Sequence, residues 1–191
     1  MARRYRSVAH VYDLHVTVVQ IDGLSGSGKS TLCTELSRRG LCAVDSDTEF
    51  AYFGDPVTGR PTDVEIRANW IWDVAKLRAF CRRRRRATLF ICGGAMNQDQ
   101  CADLFAFRFR LRIDDETMRN RLLERSGNDY GKHPAELAEQ LELNRHESQY
   151  ESPGWIALDA TRPVGEVADK IIELVGAVQS GRHEWPTNPL I

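Results

Sequence analysis

The segment Gly23-Leu24-Ser25-Gly26-Ser27-Gly28-Lys29-Ser30 constrains this chain more than any other. It satisfies G-x-x-x-x-G-K-[ST] in full, and Thr31 follows. An apolar stretch carrying Val16, Val18, Val19 and Ile21 precedes it, and a helical pattern opens within it. A strand must therefore hand over to a helix across a glycine-rich turn. Glycines let consecutive backbone N–H groups converge on an anion with no Cβ in the way, and the helix N-terminus adds partial positive charge. Gly23, Ser25, Gly26, Ser27, Gly28 and Thr31 are expected around bound phosphates. Lys29 is expected on the β- and γ-phosphates of ATP or GTP, and the Ser30 hydroxyl on Mg²⁺. Lys29 carries extra weight because only four of the 26 basic residues are lysines. The arginine excess can come from genomic base composition, so each arginine says less than usual.

The rest of the chain alternates strands with helices. Strands are expected at about 15–22, 41–45, 87–92, 106–113 and 155–159, and a closing helix on Val164, Val167, Ile171, Val175 and Val178. Ile66, Trp70, Val74, Leu77 and Cys81 fall at spacings of 4, 4, 3 and 4, which predicts one face of a long helix with Trp70 in the core. Trp72, off that face, is the tryptophan expected to reach a pocket. Between Gly54 and Pro61 the chain is dense in turn formers. Phe107, Phe109, Leu111 and Ile113 alternate with Arg108, Arg110 and Arg112, a strand with one face only partly covered. The pattern predicts a five-stranded parallel sheet with right-handed crossovers, covered on both faces, an α/β/α sandwich.

Composition narrows the class further. At 191 residues the chain suits one domain, taken as 1–179 with a tail from 180 to 191. Hydrophobic residues at 42% and charged ones at 28% argue against wholesale disorder. No apolar run approaches the ~20 residues of a membrane span, and no apolar core follows Arg3, Arg4 and Arg6 as in a signal peptide. Five cysteines with no C-x-x-C pair favour reduced thiols and a cytoplasmic setting over disulfides or zinc. A net charge of −1 gives no global field for nucleic acid.

Other phosphate-loop classes fit poorly. No N-K-x-D element is present to read guanine. A motor or AAA-type ATPase would need more chain and a strand ending in an acidic pair, whereas Leu89–Cys92 ends in Gly93-Gly94. The acidic residues instead follow the second strand, as Asp45-Ser46-Asp47. Carboxylates at the carboxyl end of a parallel strand point into the ligand crevice, although Asp-Ser-Asp also suits a turn or helix cap.

On these motifs the chain resembles the small P-loop kinases of the shikimate, gluconate and adenylate kinase group, over about residues 15–178. The resemblance implies ATP and Mg²⁺, with Asp45 on the metal side and Asp47 binding the acceptor hydroxyl and taking its proton. It implies an acceptor-binding insertion at about 47–85 and a lid at about 126–134. Arg67, Gly93-Gly94 and Arg145 would bind the acceptor. Arg121-Leu122-Leu123-Glu124-Arg125 is similar to the element opening the lid, with Arg121 on adenine and Arg125 on the transferring phosphate. Lys29, Asp47 and Arg125 would then be the catalytic residues. Asp159-Ala160-Thr161-Arg162-Pro163 looks like the loop that cradles adenine, which adds Arg162 and Pro163 to the nucleotide site.

Phosphoryl transfer to a hydroxyl or phosphate of a small polar molecule is the expected activity. The protein is expected to act as a monomer or homodimer, without nucleic-acid or membrane partners. The acceptor regions do not match those of shikimate or gluconate kinases, so nucleosides, nucleotides, antibiotic-like molecules and sugars all stay open. Arg82–Arg86 reads first as a solvated helix end, where cations suit the macrodipole. The other readings are a nucleotide-gated module for nucleic-acid ends, using that run, and an ATP sensor.

Overall fold

The computed structural model describes residues 17–84, 88–126, 129–149 and 153–180. Arg3, Arg4, Arg6, Arg85, Arg86, Gly127, Asn128 and Trp185 lie outside them. Strands β1 (Thr17–Asp22), β2 (Cys42–Asp45), β5 (Thr88–Cys92), β6 (Phe107–Arg112) and β7 (Ile156–Asp159) form one parallel sheet in the order β2-β5-β1-β6-β7. Helices α1 (Lys29–Arg38), α3 (Val74–Arg83), α4 (Asp115–Glu124) and α5 (Pro134–Gln149) lie in the crossovers, the β5–β6 connection runs through a 3₁₀ segment (Gln98–Leu104), and α6 (Val164–Gln179) follows the last strand. The sandwich expected from the alternating pattern is thus the observed fold. β1 sits at the centre, so the loop leaving its carboxyl end opens where the strand order reverses.

Alternation along β1 divides the core. Val19 and Ile21 join Leu36, Phe109, Leu122 and Ile171 on the side of α1, α4 and α6. Val18 joins Phe50, Trp72, Leu77 and Ile91 on the side of α3. On that second side the β1–β6 half of the sheet is polar. Gln20 and Asp22 are register partners of Arg108 and Arg110 across the two strands. The Arg108 and Arg110 guanidinium groups stack on Trp155, at 4.1 and 4.3 Å from its ring centre. The arginine face of β6 is therefore covered by an indole and by ion pairs.

The stretch after β2 departs from expectation. A four-residue helix α2 (Ser46–Glu49) leads into β3 (Ala51–Phe53), which pairs antiparallel with β4 (Trp70–Trp72). No long helix spans Ile66 to Cys81. A single 3₁₀ turn (Arg67–Asn69) precedes β4, and α3 starts only after Asp73, whose carboxylate accepts from the Lys76 N–H at 2.8 Å. The aromatic and β-branched run Trp70-Ile71-Trp72 prefers a pleated partner, and β3 supplies one. Period two replaces period 3.6, and the tryptophans exchange roles. Trp72 is buried in the core, while Trp70 is half-buried and faces a cavity. Asn97, itself buried, clamps this hairpin: its carbonyl accepts from the Trp72 N–H and its amide donates to the Trp72 carbonyl, both at 2.9 Å.

All five cysteines are free. Arg82 and Arg83 occupy the last turn of α3, and Arg84 stacks on Phe80 at 3.6 Å, as a solvated helix end would. No described helix is long and apolar enough to cross a membrane.

Candidate active site

The loop between β1 and α1 holds its shape through two glycines with φ of +83° (Gly26) and +99° (Gly28), a region costly for residues with a Cβ. Ser27 is buried, and its N–H donates to the Leu24 carbonyl at 3.1 Å. The Lys29 ammonium lies across the loop, donating to the carbonyls of Gly23 at 2.5 Å and Leu24 at 3.2 Å. Ser25, Gly26, Gly28, Ser30 and Thr31 line the cavity outside.

At the end of β2 the Asp-Ser-Asp run does two jobs at once. Asp45 caps α2, accepting from the Asp47 N–H at 2.9 Å, while its other oxygen accepts from the Ser30 hydroxyl at 3.2 Å. The helix cap expected of the run is present, and it uses only one of the two oxygens. Ser30 and Asp45 present hard oxygen ligands at the edge of the loop, a donor set that fits Mg²⁺, which binds through one or two carboxylates plus phosphate oxygens and water. Asp47 is half-buried and accepts from the Trp70 indole N–H at 3.4 Å. Burial pushes its carboxyl above the ordinary aspartate range, Lys29 opposes that, and Asp45 and Asp22 add to it.

Two cavities meet at this point. The first, about 640 Å³, is walled by the loop, the start of α1, Arg121, Arg125 and Arg162. Arg121 ties its walls together, donating to the Ser27 carbonyl at 3.2 Å and the Ala160 carbonyl at 2.9 Å. Arg125 ends α4 and donates to the Tyr130 carbonyl, and burial draws its guanidinium pKa down. Arg162 pairs with Glu166 at 2.9 Å, and the Pro163 carbonyl opens α6, accepting from Glu166 and Val167. The second cavity, about 690 Å³, is reached by Arg67, Gly94 and Trp70 together with Asp22 and Arg110. Ser25, Lys29 and Asp47 line both.

Most of the residues expected at the site line these two cavities; Asp45, Gly93 and Pro163 are not in the lining of either, and Arg145 is a correction. Arg145 does not reach either cavity; its guanidinium pairs with Asp115 of α4 at 2.8 Å and Glu142 at 3.1 Å. The helix turns that residue outward, toward the start of α4, and Glu147, two residues on, lines the second cavity instead. Gly93 packs on Ser46, where a Cβ would lie 1.9 Å from the hydroxyl oxygen. Gly94 lies on the Asp22 carboxylate, with a Cβ position 2.4 Å from its nearer oxygen. The glycine run thus makes room for two side chains. In the described part of the segment expected as a lid, Lys132 pairs with Asp129 at 2.9 Å.

Asp22 itself was not singled out in the sequence. It accepts from the Gly23 N–H at 2.7 Å and faces Arg110 at 3.4 Å, and Arg110 turns to Glu147 at 3.0 Å. A carboxylate closing an otherwise apolar strand just before the loop was the available signal. Arg110 was visible as one of three alternating arginines but had no visible partner.

A family profile described as an AAA domain matches residues 19–142, and the chain belongs to that family. This corrects the exclusion of AAA-type proteins on length, since a chain this short falls within the family; the β5 end still carries glycines in place of an acidic pair. No curated protein matches the chain. Among solved structures, it resembles a gluconokinase from Sinorhizobium meliloti 1021 at 18% identity, over 89% of this chain and 99% of that one, with a TM-score of 0.52. A shikimate kinase from Acinetobacter baumannii in complex with shikimate is similar at 16% identity, over 86% and 95%, with a TM-score of 0.55. A deoxyadenosine kinase from M. mycoides with bound dATP is similar at 16%, over 83% and 98%, with a TM-score of 0.53. The fold is that of the small P-loop kinases.

Proposed function

We propose that the protein is an ATP- and Mg²⁺-dependent phosphotransferase acting on a hydroxyl or phosphate of a small polar acceptor. The observation that carries this reading is the shared wall of Ser25, Lys29 and Asp47. A nucleotide in the first cavity, its phosphates on the loop, would present its terminal phosphoryl group there to an acceptor in the second. Asp47 accepts the proton of the acceptor hydroxyl as its oxygen bonds to the γ-phosphorus, the bond to the β,γ-bridging oxygen breaks, and ADP leaves. Lys29 and Arg125 offset the charge on the transferring group. Ser30 and Asp45 would hold Mg²⁺, which when bound draws charge from the phosphate oxygens. Arg121 and Arg162 would frame the base side and Arg67 and Gly94 the acceptor side, with Pro163 opening α6 beside the first and Gly93 making room for Ser46.

The domain would comprise residues 1–179, with 47–85 carrying the acceptor elements and 126–134 the lid. We place the protein in the cytoplasm, as a monomer or homodimer without nucleic-acid partners. Release of ADP from ATP and Mg²⁺ tests the reading, measured across nucleosides, nucleoside monophosphates, sugars and cyclitols, aminoglycosides and an RNA 5′-hydroxyl end. Strong stimulation by one small molecule is expected; stimulation by the RNA end alone would move the protein to nucleic-acid processing.

A further inference from the structure

We infer that the acceptor is an uncharged alcohol bearing a flat ring, of the nucleoside class, and that carboxylates and phosphomonoesters are excluded by the charge of the second cavity. This rests on the phosphotransferase reading and names what its acceptor half recognises.

Charge is the first ground. Four carboxylates line the cavity, those of Asp22, Asp47, Glu65 and Glu147, and apart from Lys29 only Arg67 and Arg110 oppose them. Arg110 is already held between Asp22 at 3.4 Å and Glu147 at 3.0 Å. An anionic acceptor is normally met by guanidinium groups free to fork onto it. Here the four carboxylates outnumber the three cations by one and Arg110 is already engaged, so an anionic acceptor would meet a net like charge.

The second ground is shape and polarity. Phe53 and Trp70 stand edge to face, ring centres 5.0 Å apart, on the same wall. Ile66 and Met96 line it too, each 53% exposed, among the few large apolar side chains the described surface leaves in water. A polyol would set hydroxyl groups against these four side chains, whereas a flat ring covers them. Between them the cavity offers both halves of an amide edge. Gln98 gives its carbonyl to Gln20 at 2.6 Å, and Gln140 gives its amide N–H to the Tyr130 hydroxyl at 3.1 Å. The Gln98 amide nitrogen and the Gln140 carbonyl then have no partner among the described residues. A donor and an acceptor beside an aromatic wall match a heterocyclic base, and Asp47 lies at the hydroxyl end.

The test is equilibrium binding to the full chain, with a non-hydrolysable ATP analogue and Mg²⁺ present. The probes are adenosine, guanosine, cytidine and thymidine, their 5′-monophosphates, gluconate and shikimate, with ADP release from ATP measured in parallel. At least one nucleoside should bind tenfold or more tighter than its own monophosphate and than either carboxylate. Trp70→Ala should weaken that binding about tenfold, the stacking contribution of one base, with the ATP analogue unaffected. Phe53→Ala serves if the first variant fails to fold. Glu65→Arg, at the exposed rim, should narrow the preference over the monophosphate at least fivefold. A monophosphate or carboxylate bound more tightly than every nucleoside overturns the inference and leaves the kinase reading standing, as does failure of all four nucleosides to bind. Nucleoside binding without phosphoryl transfer upholds the inference and overturns the kinase reading.

Discussion

Asp22 and Arg110 are Cα partners on the adjacent parallel strands β1 and β6, their charged groups 3.4 Å apart and only 10% and 15% exposed. Glu147 of α5 approaches the same guanidinium from the other side, and Asp22 also receives the first N–H of the phosphate loop. One carboxylate thus connects the loop to the wall of the second cavity. Asp22→Asn keeps the shape and removes the charge. Stability should fall by about 2 kcal/mol, the scale of a hydrogen bond to a charged group. The acceptor KM should rise about tenfold, equivalent to roughly 1.4 kcal/mol, with ATP affinity little changed. Thermal melts and steady-state kinetics check this. A stability loss with an unchanged KM would make the carboxylate structural only.

Asp47→Asn should lower phosphoryl transfer by at least ~100-fold, the usual contribution of a positioned general base, while ATP still binds. The pH dependence carries a definite sign. Burial raises the Asp47 carboxyl in the folded chain, so that chain holds the proton more tightly than the unfolded one. The ionised form therefore destabilises the protein above the folded pKa, and this cost disappears below the unfolded value of about 3.9. The asparagine variant should melt higher than the parent at neutral pH, and the difference should shrink as the pH falls. In the parent, kcat/KM should rise with pH along an acid limb displaced upward from the ordinary aspartate value.

Lys29→Ala should weaken ATP–Mg²⁺ binding about 10- to 100-fold, the effect of one charge-assisted hydrogen bond or two. Arg121→Ala should act differently, because Arg121 holds the Ser27 and Ala160 carbonyls and so spaces the two walls of the first cavity. Its KM for ATP should rise with little change in kcat. Titration calorimetry for the first and initial rates for the second separate the two effects.

Asn97→Ala leaves the N–H and C=O of buried Trp72 without partners. Each such group costs about 1–3 kcal/mol, so a denaturant titration should lose on the order of 3 kcal/mol. Trp70 leads into the clamped residue, and its contact with Asp47 loosens with the hairpin, so the acceptor KM should rise as well.

The loop was legible in the sequence because its chemistry requires glycines, a lysine and a hydroxyl at fixed offsets along one local stretch. The five parallel strands were legible because four are short, mainly apolar runs and the fifth, Phe107–Arg112, alternates apolar residues with arginines at period two. The β3–β4 hairpin was not. Ile66, Trp70, Val74, Leu77 and Cys81 satisfy a helical spacing by coincidence, and what fixes Trp70–Trp72 as a strand is a partner some twenty residues earlier and a clamp from Asn97. The Asp22–Arg110–Glu147 chain stayed hidden for the same reason: its members stand far apart in the sequence and meet only when β1, β6 and α5 assemble. Arg145 was misplaced because a resemblance in sequence order cannot say which way a helix is turned.

Among the described residues the β3–β4 hairpin forms a sheet only with itself, and its backbone is fastened to the rest of the domain by the Asn97 side chain on Trp72, the Gln100 amide on the Pro56 carbonyl and the Met96 N–H on the Trp70 carbonyl. The hairpin and the turn before β4 supply Phe53, Glu65, Ile66, Arg67 and Trp70 to the second cavity and none of the lining of the first. This stretch therefore shapes the second cavity, together with Asp22, Gln98, Arg110, Gln140 and Glu147 from other elements, without touching the lining of the first. Under the proposed function, exchanging these roughly twenty consecutive residues would remodel the acceptor side while leaving the lining of the first cavity in place.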